Sequence, residues 1–236
     1  MVLSIRVFSF LLISALACAQ PQGQAADPTP AEDVSKAAVE PGTPAITFTL
    51  DFPASQPEHY SIRVPSDGLA HYQSSGHLSA DSEEIDSFDL DFAVGAETRQ
   101  KIFDLAAKAD YFKKDIDSHH KGMAFTGKKT LSYKNVQHSG ESTYNYSTVP
   151  AVQDLTALMQ SLSATLEFGH RLQYDHHYQK LAMDEELRRM EDMLGSNELI
   201  EISAIRPVLD QIIGDPSVMN VTRARAQRLL ERAGVH

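Results

Sequence analysis

Cysteine occurs once in this chain, at Cys18, and tryptophan does not occur at all. With no cysteine beyond residue 18, the folded part can hold neither a disulfide nor a thiol nucleophile, so packing alone must stabilise it. No Gly-x-Ser-x-Gly elbow, no glycine-rich phosphate loop and no His-Glu-x-x-His pair is written anywhere, so the common sequence signatures of hydrolases, nucleotide-binding enzymes and zinc proteases are missing. No internal repeat of clear period stands out. Basic residues are outnumbered, 21 against 32 acidic ones, for a formal charge of −11. That balance argues against nucleic acid or anionic lipid headgroups as main partners.

What is present begins with an address. Arg6 is followed by a small and apolar run, Val7–Ala17, and then by Ala15-Leu16-Ala17-Cys18-Ala19-Gln20. Charge, short apolar core and small residues in that order make an export signal over residues 1–19. The run is too short for a permanent membrane span, which takes about 20 residues. Two cuts are open. Ala17-Cys18-Ala19 suits ordinary signal peptidase and releases a chain starting at Gln20. Ala15-Leu16-Ala17 before Cys18 resembles a bacterial lipoprotein box, in which Cys18 would carry lipid, although Ala15 replaces the usual aliphatic residue. The chain is expected in the periplasm or outside the cell, touching a membrane only through such an anchor. Residues 20–44, with Pro21, Pro28, Pro30, Pro41 and Pro44, bury too little to offset their ordering entropy and read as a flexible linker.

From residue 46 the hydrophobic period is two. Ile46, Phe48, Leu50 and Phe52 alternate with polar residues, as do Tyr60, Ile62 and Val64; each run is a strand with one buried face. Pro65-Ser66-Asp67-Gly68 supplies a turn. Leu69–Ser74 returns, and Phe88, Leu90 and Phe92 make a further strand. Over Ala96–Phe112 the period becomes helical, with Ile102, Phe103, Leu105, Ala106, Ala109 and Phe112 on one side. Lys129–Lys134 and Ser142–Ser147 predict a second hairpin about His138-Ser139-Gly140. Pro150 then suits the first turn of a helix whose stripe is Val152, Leu155, Leu158, Met159, Leu162 and Leu166. The order predicts an α+β fold, an antiparallel sheet with helices on one face over residues 45–168.

The segments Tyr60-Ser61-Ile62-Arg63-Val64, Asp67-Gly68, Tyr72, Ala109-Asp110-Tyr111-Phe112 and Lys128-Lys129-Thr130-Leu131-Ser132-Tyr133, with Phe103 between them, resemble a domain of unknown function common in exported bacterial proteins. The resemblance implies this fold and no particular activity. Some relatives have cysteines near the first strand; this chain has none there.

Residues 169–236 predict an all-α extension. Met183, Leu187, Met190 and Leu194 precede Gly195 at near-heptad spacing. Ser196-Asn197 offers a cap for a helix with Leu199, Ile202, Ile205, Leu209 and Ile212 inward, kinked at Pro207. Asp215-Pro216 predicts the start of the last helix, with Val221, Leu229 and Leu230 inward. This pair resembles one HEAT-type helical hairpin, a unit that needs neighbours to bury both its faces.

Candidate ligands for zinc or copper fall in two clusters, Asp115, Asp117, His119 and His120, and His170, His176 and His177 with Asp175, where His170 and His177 share one helical face. Neither has an established ligand spacing, and solvated polar residues are the simpler reading. The carboxylates between Asp81 and Asp91 could hold calcium, but lack the loop pattern that such sites use. Tyr60, Tyr72, Tyr133, Tyr144 and Tyr146 either form an exposed aromatic surface or pack beneath the helices, the second being favoured. The two sequons, at Asn145 and Asn220, matter only in a eukaryotic secretory route. The overall reading is a non-catalytic exported envelope module without cofactor, protein-binding or structural, whose partner is another envelope protein. The alternative is a metal-binding protein or metal-dependent enzyme built on one of the two clusters.

Overall fold

The computed structural model describes residues 42–77 and 83–234. The expected signal, Cys18 and most of the linker lie outside them. Six strands form one antiparallel sheet: β1 (Ala45–Asp51), β2 (His59–Pro65), β3 (Leu69–His77), β4 (Ile85–Ala93), β5 (Lys128–Lys134) and β6 (Ser139–Tyr144), in the spatial order β4-β3-β2-β1-β5-β6. The chain thus builds outward from β1 in one direction, crosses back through a helix, and completes the other edge. Register follows the alternation: Phe48 lies opposite Ile62 on one side and Leu131 on the other. A slip of one residue would turn this apolar set to solvent.

The buried face carries Ile46, Phe48, Ile62, Val64, Tyr72 and Leu131, all fully enclosed. Against it lie α1 (Ala96–Lys108) and α2 (Pro150–Tyr178). The α+β expectation is met, with the helices past β6 gathered in the C-terminal part. At the first turn Gly68 has φ +91° and donates to the Pro65 carbonyl at 3.0 Å, while the Asp67 side chain accepts from Leu69 N. Proline, aspartate and glycine play their usual turn roles.

Several local readings need correction. The second hairpin turns at residues 135–138, where Asn135 Oδ1 accepts from the amides of Gln137 and His138; Ser139 and Gly140 belong to β6. An asparagine side chain able to mimic a backbone turn outcompetes the glycine. The helix expected to reach Phe112 stops at Lys108. Asp110, Tyr111 and Phe112 then take φ values of 53°, 52° and 61°, a left-handed turn that inserts Phe112 fully into the core. Left-handed backbone costs non-glycine residues about 1–2 kcal/mol each, a cost offset here by Phe112 burial and by Tyr111 packing on Tyr133 at 4.4 Å between centroids.

The helix α2 runs for 29 residues, straight across the expected division after residue 168. Gly169 lies within it because a Cβ there would stand 2.4 Å from the Ile205 methyl group. It is a close-approach glycine. Beyond α2 come α3 (Met183–Gly195), α4 (Arg206–Gly214) and α5 (Asn220–Arg232). Pro207 does not kink a helix. It sits in the first turn of α4, where its missing N–H is needed by no carbonyl. Asp215-Pro216 opens a loop, not a helix: Asp215 Oδ1 accepts from Ser217 N at 2.8 Å, and α5 begins at Asn220. Val221 is accordingly exposed, whereas Leu229 and Leu230 are buried as expected. The pair α4–α5 packs together, and α2 and α3 of the same chain cover it. Arg225 ties α5 to α3 through Asp184 at 3.2 Å and through Glu191.

Candidate functional site

Four of the five grouped tyrosines, Tyr60, Tyr72, Tyr133 and Tyr144, are buried under the helices, and Tyr146 is exposed. Burial pushes the Tyr144 phenol up to about 12. Phe48, Tyr60, Tyr72 and Phe88 form a row of rings across four strands at centroid separations of 5.9–6.0 Å. At the β4 end of that row the interface opens into a cleft of about 820 Å³. Its walls are the far end of β3, the start of β4, the loop at Gln56-Pro57, the second half of α2 and Glu186 on α3.

The floor is a polar network reaching from the sheet to α2. Glu167 Oε1 accepts from Tyr72 Oη at 2.7 Å and from Ser74 Oγ at 2.7 Å, and Tyr72 Oη also meets Ser163 Oγ at 2.9 Å. Burial pushes the Glu167 carboxyl up, but His170, Ser74 and Tyr72 together outweigh burial and hold it below its ordinary value. The same burial, reinforced by the Glu167 charge, drives the Tyr72 phenol far up. Glu167 is therefore a fixed acceptor and Tyr72 a fixed donor. His170 stacks flat on Phe88, 4.2 Å apart and 3° from parallel, with Nδ1 at 3.7 Å from Asp86 and 4.0 Å from Glu167.

Deeper along α2, Arg171 lies over the Phe168 ring at 4.5 Å and reaches Glu186 at 3.4 Å. Glu186 also receives Arg189 at 3.3 Å. Asp175 differs from every other carboxylate here. The residue is 8% exposed, lines the cleft, and its side chain accepts no hydrogen bond among the described residues. Burial and the nearby Glu186 charge raise its carboxyl above the ordinary value, partly offset by Arg171. Five carboxylates (Glu84, Asp86, Glu167, Asp175 and Glu186) line the cleft with one guanidinium, Arg171. At its rim Tyr174, 52% exposed, packs at a tilt against Tyr178, 68% exposed, with 4.9 Å between ring centroids.

The candidate metal ligands are distributed otherwise. His119 Nε2 meets Asp115 at 2.6 Å, and Asp117 lies 3.6 Å from Nδ1 of the same ring. The hydrogen bond lowers the Asp115 carboxyl and raises the His119 imidazole. Both side chains are exposed, and Asp117 is turned toward the Asn145 amide at 2.7 Å. His120 is exposed beside them. His170 belongs to the cleft, whereas His177 is exposed against Tyr178, at 4.5 Å between centroids. Among the described residues no three histidine, aspartate or glutamate side chains gather as a metal site would require. His176 instead joins Lys180 on Asp215, at 3.0 and 2.7 Å, and Lys180, followed by Ser217, drives that carboxyl far down.

Sequence reading reached His170 and Asp175, as members of one candidate metal cluster, but missed Glu167 and Glu186. A signal was there: Ser163, Glu167, His170 and Tyr174 recur at four- and three-residue steps along α2, a polar row beside the apolar stripe. No protein-family model matches the chain, and no curated protein matches it.

Proposed function

We propose that the chain is a non-catalytic binding module of the cell envelope and that the cleft between β3–β4 and α2 is its recognition surface. The observation that carries this reading is Asp175. The residue is largely enclosed, yet its carboxylate takes no donor from the described residues and faces the cleft, and burial with the Glu186 charge disfavours its ionised form. Among the described residues no fully buried side-chain nitrogen or oxygen lacks a partner, so the Asp175 oxygens go without a protein donor because they open on the cleft. A destabilising group retained at an open cleft fits recognition. The floor fits it too: Ser74, Ser163 and Tyr72 are committed to Glu167 or to each other, and none is hydrogen-bonded to an imidazole as an activated nucleophile would be. Export is supported by the N-terminal pattern of charge, apolar core and small residues, and by the likeness of residues 45–168 to an exported bacterial domain. An envelope protein is then the expected partner.

The test places a photo-crosslinking amino acid at Tyr174, beside the cleft, or at Val136, in the β5–β6 turn, in the full chain expressed in its own cells. A crosslinked envelope protein from position 174 and none from 136 supports the reading. Crosslinks from 136 alone, or from neither, overturn it.

A further inference from the structure

We propose that the cleft takes a single organic cation, an alkylammonium or guanidinium group, seated on Asp175 and covered at the rim by Tyr174. The inference rests on the recognition reading above and adds the chemistry of what is recognised.

Three observations converge. The first is an unmet valence: Asp175 is nine-tenths buried, opens on the cleft, and receives no donor from the described residues. The cation that acts on Asp175, Arg171, is directed at Glu186 at 3.4 Å and lies over Phe168. It softens the field at Asp175 without donating to it. The second is charge. Five lining carboxylates against one guanidinium leave the cleft strongly negative, and low-dielectric walls focus that field. An anion would be repelled, and a neutral ligand would leave the field unused. The third is the rim. Tyr174 lines the cleft with an exposed ring, backed by Tyr178 at 4.9 Å between centroids, and an aromatic face beside a carboxylate attracts a cation through the ring quadrupole. The Glu167 network contributes fixed negative charge at the floor, since its carboxyl is held ionised by its donors. A cation arriving on a flexible stem would exchange water for Asp175 below and tyrosine above.

Such a group comes from two sources, a lysine or arginine of a partner chain or a free diamine. Nuclear magnetic resonance of the protein purified as its own cells process it separates them. The probes are cadaverine, an acetylated and amidated Gly-Lys-Gly peptide, its Gly-Arg-Gly counterpart, and glucose as a neutral control. Cationic probes are expected to shift the amides around Asp175 and the Tyr174 ring, and glucose is not. Asp175→Asn should weaken cation binding roughly tenfold or more, and Tyr174→Ala should weaken it severalfold. Asp104→Asn, which removes a carboxylate on α1 outside the cleft, should leave binding unchanged. Raising salt toward about 1 M should weaken binding. Preference for the peptides identifies a partner side chain, and preference for cadaverine a free amine; either supports the cation site. Silence from every cationic probe, or equal binding by the Asp175→Asn protein, overturns it. Crosslinking from Tyr174 that persists after such a failure would leave the recognition reading standing and remove only the cation.

Discussion

Tyr72 and Glu167, separated by 95 positions in sequence, meet at 2.7 Å where the sheet faces α2. The phenol is the donor and the carboxylate the acceptor, and Ser74 and Ser163 complete the set. This junction fixes α2 over the sheet and sets the floor of the cleft.

Tyr72→Phe should therefore cost stability beyond the loss of one oxygen. The ring still fits, but Glu167 loses a donor to a charged and largely enclosed group, worth about 2 kcal/mol. For a domain of this size that lowers Tm by roughly 4–8 °C. Acid should act on the same junction. Because the Glu167 carboxyl lies below its ordinary 4.5 in the fold, the unfolded chain binds its proton more readily. The stability from Glu167 is present above the ordinary value and is lost as pH falls through the folded one. Thermal unfolding of wild type and Glu167→Gln across the acid range checks both points. A difference between them that stays constant from neutral pH to about pH 2 would contradict the assigned role.

Asp175 should behave in the opposite sense. Its carboxyl is raised above the ordinary 3.8, so folding favours the protonated form and the ionised form costs stability at neutral pH. Asp175→Asn is expected to raise the denaturant midpoint at about pH 7, with the gain shrinking to nothing below about pH 3.8. A destabilised Asp175→Asn protein at neutral pH would mean that the carboxylate has a structural partner and is not held open for a ligand.

Gly140 tests the left-handed turn. A Cβ at this β6 position would come within 2.1 Å of the Tyr111 carbonyl oxygen, far inside contact distance. The obstacle is backbone in a segment already held at positive φ, so it cannot swing aside as a side-chain tip would. Gly140→Ala should cost about 1–3 kcal/mol, whereas Gly214→Ala, at a helix position with nothing within 4 Å, should be neutral or stabilising by about 0.4–1 kcal/mol. Equal midpoints for the two variants in urea titration would show that the turn relaxes freely.

The sequence by itself determined the α+β class, the first five strands of the sheet, the Pro65–Gly68 turn and the start of α2 at Pro150. Each of these depends on short-range chemistry: alternation that buries one face, a proline that presets φ, a glycine that accepts φ +91°. It misplaced elements where a local signal had two meanings. The division after residue 168 looks natural until Gly169 is seen inside α2 against Ile205, and Pro207 reads as a kink until the chain before it is seen to be a short 3-10 turn rather than α-helix. Phe112 continues the helical stripe of α1 in sequence, yet reaches the core only through a left-handed turn braced by Gly140. Tertiary structure alone decided the cleft. Its carboxylates come from β4, α2, α3 and the approach to β4, and no spacing along the chain encodes their meeting. Asp175 is an ordinary polar residue near a helix end in sequence. Only the packing of α2 among the sheet and α3 encloses most of the residue while leaving its carboxylate open to the cleft without a donor from the described residues.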